Sequence, residues 1–176
     1  MVDIEVVDAA VDIDAVSSDP SDLRRLYGCF PTGVTAICAI KDGVPIGMAA
    51  TAFTAVSLDP QLVSVCVQNS STTWPKLRSA DRLGISVLAE DQHRECQNLA
   101  MKEGDRFAGV SWAAAVDGAV FVRGAAAWLG CSLHSEVAAG DHAIALLKIY
   151  GYRANPERSP LIFHASRFRQ LAVPAE

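Results

Sequence analysis

A run of four hydroxyl side chains, from Ser70 to Thr73, stands between an apolar stretch and a Trp-Pro pair. Hydroxyls and unpaired backbone N–H groups just ahead of a helix donate hydrogen bonds to an anion, and Lys76 adds positive charge there. A single Ser or Thr suffices to cap a helix, so four in a row exceed what capping requires. The run is interpreted as a phosphate site, with a helix cap in a solvated loop as the alternative.

The segment GMAATAFTAVSLDP, residues 47–60, is poor in large side chains in its first half. Small residues let a backbone approach a flat ligand, which then takes hydrogen bonds from peptide N–H and C=O groups. Close packing of strands at the corner of a barrel explains the same composition. The segment alone leaves both interpretations open.

The segment AGDH, residues 139–142, joins two long apolar runs. Gly140 and Asp141 form the turn that delivers His142 to the start of a strand, where its ring either reaches a pocket or hydrogen-bonds its own turn. A loop over 103–117 that carries Arg106 is expected to be irregular and partly functional.

Most motifs that supply chemistry from the protein itself are missing. The chain contains no GxG, GxxxxGK[ST], GxSxG or HExxH. No metal site is predicted, because the spacing of His134, Asp141, His142 and His164 is not that of a ligand set. Without an acid, base or nucleophile set, a cofactor that carries the reaction is the better explanation.

Charge and composition exclude several classes of protein. Residues 1–19 hold six acidic side chains and no basic one, which predicts a flexible acidic arm. The rest of the chain holds 14 acidic and 15 basic residues with no basic run, and this argues against nucleic-acid binding. No apolar run is long enough for a membrane span. The chain has five cysteines and no CxxC pair. Three of the cysteines lie in apolar strand-like runs, where Cys acts as a small hydrophobe: Cys38, Cys66 and Cys131. This pattern indicates reduced thiols in a cytoplasmic protein.

Short apolar runs separated by turn signals predict a mainly β protein with a few helices. A helix is expected from Pro20 to about Gly28, a second one around Pro75 and a third over 91–102. Strands are expected over 34–41, 44–50, 51–58, 62–68, 83–89, 119–122, 125–137, 142–154, 160–163 and 167–173. Strands that follow each other through short turns favour an antiparallel barrel, here a single domain over 20–176.

Taken in order, six motifs resemble those of the flavin reductase-like family. They are FPTGVTAICA, GxxATAFTAVSLDPxLVSVCV, NSSTTWPKL, DRFAGVSW, GDH and PLIFHASRFRQL. The resemblance runs from about Tyr27 to Leu171. The resemblance implies a Greek-key-like split β-barrel and a homodimer. It further implies reduction of FMN or FAD by NADH or NADPH, with the reduced flavin supplied to a separate monooxygenase.

The resemblance also assigns roles to individual residues. His142 would face the nicotinamide, and Ser166 and Arg167 would close over it. The flavin-binding residues would be, for the ring, Gly47, Met48, Ala49, Thr51 and Ala52; for the ribityl chain, Val67 and Gln68; and for the phosphate, Ser71, Thr72 and Thr73, with Asn98 nearby. The chain departs from the family pattern at Asn69, where many members have a basic or other polar residue, and at Phe168, where a tyrosine hydroxyl is lost.

Two alternatives remain beside a reductase that uses flavin as a dissociable substrate. One is a flavoprotein that holds FMN tightly and passes electrons to another acceptor. The other is a flavin carrier without catalysis. The GDH motif favours a reductase, because a carrier has no use for a nicotinamide site.

Overall fold

The computed structural model describes residues 13–172. Its helices are α1 (Pro20–Tyr27), α2 (Trp74–Leu77) and α3 (His93–Ala100). Its strands are β1 (Thr32–Gly33), β2 (Thr35–Lys41), β3 (Val44–Ala50), β4 (Phe53–Leu58), β5 (Gln61–Gln68), β6 (Leu83–Val87), β7 (Trp112–Ala114), β8 (Val120–Val122), β9 (Ala127–Ala139), β10 (His142–Ala154), β11 (Ile162–His164) and β12 (Arg167–Arg169).

One antiparallel sheet of seven strands organises the molecule, in the order β3-β2-β6-β9-β10-β5-β4. The β2–β3 hairpin turns at Asp42 and Gly43, which both have positive φ, as the Asp-Gly pair predicts. The β9–β10 hairpin is long and turns at Gly140 and Asp141. Strand β10 then pairs with β5, far away in sequence, and this pairing brings His142 opposite Gln68. The predicted mainly β, antiparallel fold with few short helices is confirmed.

The two edge strands of this sheet, β3 and β4, follow one another in the chain. They are separated only by Thr51 and Ala52, and the carbonyl of Ala52 accepts a hydrogen bond of 3.1 Å from the N–H of Cys66 on β5. The sheet therefore curls until its edges meet at one end and stay apart at the other. The prediction of one continuous extended segment over 51–58 is wrong at its first two residues, where the chain changes strand.

Strand β2 is buried on both faces and separates two apolar clusters. Ile37 and Ala39 face the interior of the curled sheet, together with Val65 and Leu147. The opposite face of β2 is covered by α3, β8 and β11 through residues such as Leu99. Burial on both faces explains why β2 reads as a continuous apolar run rather than an alternating one.

The smaller elements cover the sheet. Strands β1, β11 and β12 form one small sheet, and β7 and β8 form another. Strand β7 lies within the segment 103–117, which was expected to be irregular throughout. Helix α3 is shorter at both ends than the predicted 91–102, and α2 is a single turn.

The chain ahead of α1 contributes little packing within the described part. Residues 13–19 are exposed and irregular up to Asp19, whose carboxylate accepts a hydrogen bond of 2.8 Å from the N–H of Ser21 and so caps α1 as predicted. Residues 1–12 of the predicted acidic arm lie outside the described residues. None of the helices within residues 13–172 combines the length and the apolarity that a membrane crossing requires.

Candidate active site

A cleft of about 710 Å³ lies beside the Thr51–Ala52 connection between the edge strands β3 and β4. Its walls are the end of β3, the Thr51–Ala52 connection, the end of β5, the loop of residues 70–73, which we call the hydroxyl loop, and the start of β10. Of the residues predicted for the site, it brings together Met48, Ala49, Thr51, Ala52, Val67, Gln68, Ser71, Thr72, Thr73 and His142. Residues from three distant parts of the sequence thus share one cavity.

The hydroxyl loop divides its side chains between structure and the cleft. The hydroxyl of Ser71 accepts a hydrogen bond of 3.1 Å from the N–H of Trp74 and so fixes the turn into α2, whereas the N-cap residue Thr73 makes no side-chain capping bond. The hydroxyls of Ser70 and Thr72 line the cleft and have no hydrogen-bond partner among residues 13–172. The hydroxyls of Ser70 and Thr72 therefore remain available to a ligand.

The positive charge beside the hydroxyl loop comes from a different place than the sequence indicated. Helix α2 has only four residues, so its dipole is small, and Lys76 lines a neighbouring cavity rather than the cleft. Lys102 and Arg106 line the cleft instead. Nη1 of Arg106 donates to the hydroxyl oxygen of Thr73 at 2.6 Å and to the carbonyl of Gly47 at 3.0 Å.

Packing rather than ligand approach explains the glycine at position 47. A Cβ built there would lie 2.5 Å from Sγ of Cys38 and 3.1 Å from the ring of Phe107. Gly47 does not line the cleft, although its carbonyl anchors Arg106 and its neighbours Met48 and Ala49 do line it. The alternative of close packing thus holds for Gly47, and the small residues that follow face the cavity.

The GDH turn is fixed by contacts on both sides. Nδ1 of His142 lies 2.7 Å from the Asp141 carboxylate, and this hydrogen bond lowers the pKa of Asp141 below its ordinary value. Because a carboxylate only accepts hydrogen bonds, Nδ1 of His142 is the donor in this contact, and Nε2 has no hydrogen-bond partner among residues 13–172. The side chain of Asn69 donates to the carbonyl of Gly140 at 3.2 Å, which ties this turn to the hydroxyl loop.

Comparison with known proteins identifies this arrangement. The flavin reductase like domain matches residues 27–172. The chain belongs to this family. Over 165 residues it is 37% identical to a flavin reductase of Pseudomonas putida, covering 93% of this chain and 97% of that protein. It is also 35% identical to the reductase subunit HsaB of a flavin-dependent monooxygenase of Rhodococcus jostii, covering 92% of this chain and 82% of the subunit.

A solved structure of the family has the same fold. The NADH:FAD oxidoreductase SgcE6 of Streptomyces globisporus C-1027, in complex with NAD and FAD fragments, superposes with a TM-score of 0.84 at 36% identity, over 92% of this chain and all of that one. The resemblance drawn from the ordered motifs is confirmed, and so is the predicted class of activity, a flavin oxidoreductase.

Some residues predicted for the site lie outside the cleft of this flavin reductase. Asn98 on α3 donates from Nδ2 to the carbonyl of Ala108 at 2.7 Å, so it supports the loop that carries Arg106 rather than lining the cavity. Ser166 and Arg167 sit at the β11–β12 turn, where the preceding Ala165 packs against Gly28. Within residues 13–172 neither of them lines the cleft.

Other residues of the flavin reductase cleft were not predicted for it. Cys66 was assigned to the core, but its position on β5 faces outward, and its exposed thiol lines the cleft. Ala100, the last residue of α3, also lines the cleft. The strand alternation in LVSVCVQ contained the signal for Cys66, because Val63, Val65 and Val67 occupy the buried positions between. No local pattern identified Arg106 as a cleft residue.

The side chains considered as metal ligands, His134, Asp141, His142 and His164, do not come together in one cluster within residues 13–172. Residues 13–172 contain no group of three or more His, Cys, Asp or Glu side chains that could hold a metal ion. Asp141 and His142 are adjacent, while the remaining candidates His134 and His164 do not join them.

Proposed function

We propose that the protein is an NAD(P)H-dependent flavin reductase whose flavin lies in the cleft between the hydroxyl loop and the end of β3. The observation that carries the proposal is the meeting, in one cavity, of a loop of hydroxyl residues, small residues at a strand end and a histidine fixed by a carboxylate. The flavin supplies the electron-accepting ring when it is bound, and the protein binds and orients the reactants.

The chemistry of the donor groups supports a phosphorylated aromatic ligand. The hydroxyls of Ser70 and Thr72, which have no hydrogen-bond partner among residues 13–172, suit phosphate oxygens, and Arg106 and Lys102 supply the opposite charge. Small residues at Ala49, Thr51 and Ala52 leave room for a flat ring beside the backbone. We assign the ring to Met48–Ala52, the ribityl chain to Val67 and Gln68, and the phosphate to Ser71, Thr72 and Thr73.

We assign His142 to the nicotinamide. Asp141 holds Nδ1 of His142, which fixes the orientation of a ring that lines the cleft and leaves Nε2 as its second hydrogen-bonding atom. The imidazole of His142 would orient the hydride donor without transferring a proton, because hydride transfer to a flavin needs positioning of the reactants rather than an acid or a base. The roles of Ser166 and Arg167 at the nicotinamide remain predictions, since the turn that carries them lies away from the cleft.

FAD and NADH are the reactants that we propose first among the flavins and nicotinamides. The Streptomyces relative is named for this pair. NADPH differs from NADH by a 2′-phosphate, which an arginine would bind. Three arginines have contacts elsewhere and do not line the cleft: Arg123 contacts Trp112, Arg153 contacts Trp128 and Arg158 contacts Asp91.

We also propose that the protein is a cytoplasmic homodimer that delivers reduced flavin to a separate monooxygenase. Relatives named as reductase components of such systems support the delivery step. Exposed apolar side chains on and after α1, at Leu26, Tyr27 and Phe30, support a second subunit that covers them.

The test is anaerobic stopped-flow spectroscopy of the purified protein with NADH and either FAD or FMN. Rapid loss of the absorbance of oxidised flavin, with free flavin exchanging during turnover, is the expected result. Flavin that copurifies and does not exchange would instead favour the electron-transfer flavoprotein. Bound flavin that neither NADH nor NADPH bleaches would leave a carrier and overturn the proposal.

A further inference from the structure

A second cavity, of about 240 Å³, lies at the end of the β9–β10 hairpin away from the GDH turn. Within residues 13–172 it shares no lining residue with the cleft. His142 of the cleft begins β10, and Arg153 of this second cavity lies next to the end of the same strand. At the usual rise per strand residue the two are about 35 Å apart along the strand, so the cavity is a separate site.

Two glycines that face each other across the hairpin contribute to the cavity. Gly151 pairs with Gly130, and neither has a positive φ. The ring of Tyr150 explains Gly130, because a Cβ there would lie 2.7 Å from it. A Cβ at Gly151 would meet nothing within 4 Å among residues 13–172, although a glycine inside a strand costs stability. Gly151 therefore leaves bare backbone open to close approach by another molecule.

Two aromatic rings of the cavity are held in place by contacts of their own. Nε1 of Trp128 donates to the carbonyl of Val122 at 2.8 Å, and the Trp128 ring packs against that of Phe121 with their centroids 5.4 Å apart. The hydroxyl of Tyr150 donates to the Asp117 carboxylate at 2.8 Å. Rings that are positioned in advance reduce the entropy lost when a ligand binds.

Arg153 brings a positive charge without a counterpart in the described part of the chain. It lies opposite Trp128 on the neighbouring strand, with its guanidinium carbon 5.7 Å from the centroid of the indole. Among residues 13–172 it forms neither a hydrogen bond nor an ion pair. Asp117, an acidic residue in the cavity lining, is engaged by Tyr150 and lies 3.6 Å from Nε of Arg82. Aromatic rings beside an unpaired guanidinium suit an anion that carries its own aromatic ring.

The size of the cavity limits its occupant. Pockets for drug-sized ligands usually have volumes of about 300–1,000 Å³, and the cleft lies within this range. The second cavity, with about 240 Å³, lies below it. It therefore suits a ligand with a single ring and is too small for a flavin or nicotinamide nucleotide.

We propose that this cavity binds a small aromatic carboxylate with one ring, of which benzoate is the simplest. The ring lies over the bare backbone at Gly151 and against the indole of Trp128, and the carboxylate pairs with Arg153. This site goes beyond the proposed function and does not depend on it, because none of its residues belongs to the cleft.

The test is isothermal titration calorimetry of the full-length protein with benzoate, in the absence and in the presence of FAD. Benzoate should bind with the same affinity in both cases, because the two cavities are separate. Two related compounds separate the contributions of charge and ring. Cyclohexanecarboxylate keeps the charge without the aromatic ring, and benzyl alcohol keeps the ring without the charge; each should bind about 10-fold more weakly than benzoate.

Three variants locate the binding. Arg153→Gln should weaken benzoate by about 10-fold, the effect of a lost hydrogen bond between charged groups. Gly151→Val should abolish binding, because its side chain occupies the space over the bare backbone, and its Tm should stay close to that of the wild type. Arg94→Gln, which changes an exposed arginine on α3, is the matched control and should leave the affinity unchanged.

Four results would overturn the proposal. The first is a wild-type protein that does not bind benzoate, and the second is binding that neither Arg153→Gln nor Gly151→Val weakens. Benzoate that FAD displaces would lie in the cleft instead. A change of oligomeric state in Gly151→Val, measured by analytical ultracentrifugation, would show that a second copy of the chain covers the cavity. Failure of the protein to bind FAD would overturn the proposed function and leave the benzoate site standing.

Discussion

The side chain of Asn69 donates a hydrogen bond to the carbonyl of Gly140 at 3.2 Å, and its backbone N–H donates to the carbonyl of Asp141 at 2.9 Å. These two bonds join the end of β5 to the turn before β10. The hydroxyl loop and the GDH turn, 71 residues apart, are therefore one structural unit. Asn69, where the chain departs from the family pattern, has a clear role in this unit.

Replacing Asn69 with Ala should loosen both loops at once. We expect the KM values for flavin and for NADH each to rise by about 5-fold, because one hydrogen bond of about 1 kcal/mol is lost while the backbone contact stays. Steady-state kinetics with each substrate varied in turn measure this. Asn155→Ala, an exposed asparagine away from the cleft, is the control. A change in only one of the two KM values would contradict a shared unit.

His142→Ala should raise the KM for the nicotinamide more than it weakens flavin binding. The proposed role of His142 is at the nicotinamide, whereas the flavin contacts that we propose come from β3, β5 and the hydroxyl loop. Kinetics with NADH and an independent flavin titration separate the two effects. Unchanged nicotinamide kinetics would remove His142 from this role.

The Asp141–His142 contact also has a pH dependence with a defined sign. The hydrogen bond from His142 lowers the pKa of the Asp141 carboxyl. The contact therefore contributes fully to the stability of the folded state at pH values above the ordinary pKa of an aspartate. This contribution is lost as the pH falls through the lowered pKa of Asp141. Asp141→Asn should raise the nicotinamide KM at neutral pH, where the carboxylate is ionised. Equal values for wild type and variant would show that Asp141 does not orient the ring.

The cysteines should separate into two reactive and three unreactive thiols. Burial raises the pKa of Cys38 and Cys131 to about 12 and that of Cys96 to about 11, whereas Cys29 and Cys66 are exposed. An aromatic disulfide reagent should label two thiols quickly in the native protein and all five after unfolding.

The Cys66 thiol provides a direct probe of the cleft. In a Cys29→Ser variant, only Cys66 should react quickly, and added FMN or FAD should slow its labelling, because Cys66 lines the proposed flavin site. Labelling that flavin does not affect, in a protein shown to bind it, would place the flavin elsewhere.

Gly84→Ala should destabilise the fold. A Cβ at this position on β6 would lie 2.0 Å from the carbonyl oxygen of Val120, which is backbone and cannot rotate away. We expect a loss of about 3 kcal/mol in the free energy of unfolding, or roughly 6–12 °C in Tm. Gly151→Ala in β10, where nothing lies within 4 Å of the added Cβ, is the matched control and should change little. Equal Tm values for both variants would mean that β8 shifts freely.

Local patterns in the sequence determined most of the elements and much of the site. Strand β10 was predicted with its observed bounds, and the Asp-Gly turn after β2 has the positive φ values that its residues favour. Turn chemistry and alternation act over a few residues, so they can be read without knowing the fold. The ordered motifs then identified the family and most of the cleft residues.

The tertiary structure decided what those patterns could not. The pairing of β5 with β10 places His142 beside the hydroxyl loop, and the packing of Phe107 against Gly47 directs Arg106 into the cleft. The tertiary structure also places Cys66 at the cleft and directs the Asn98 side chain to the carbonyl of Ala108, in the loop that carries Arg106. These outcomes depend on which apolar faces bury each other across the whole chain, and that choice minimises the free energy of the complete core rather than of any one segment.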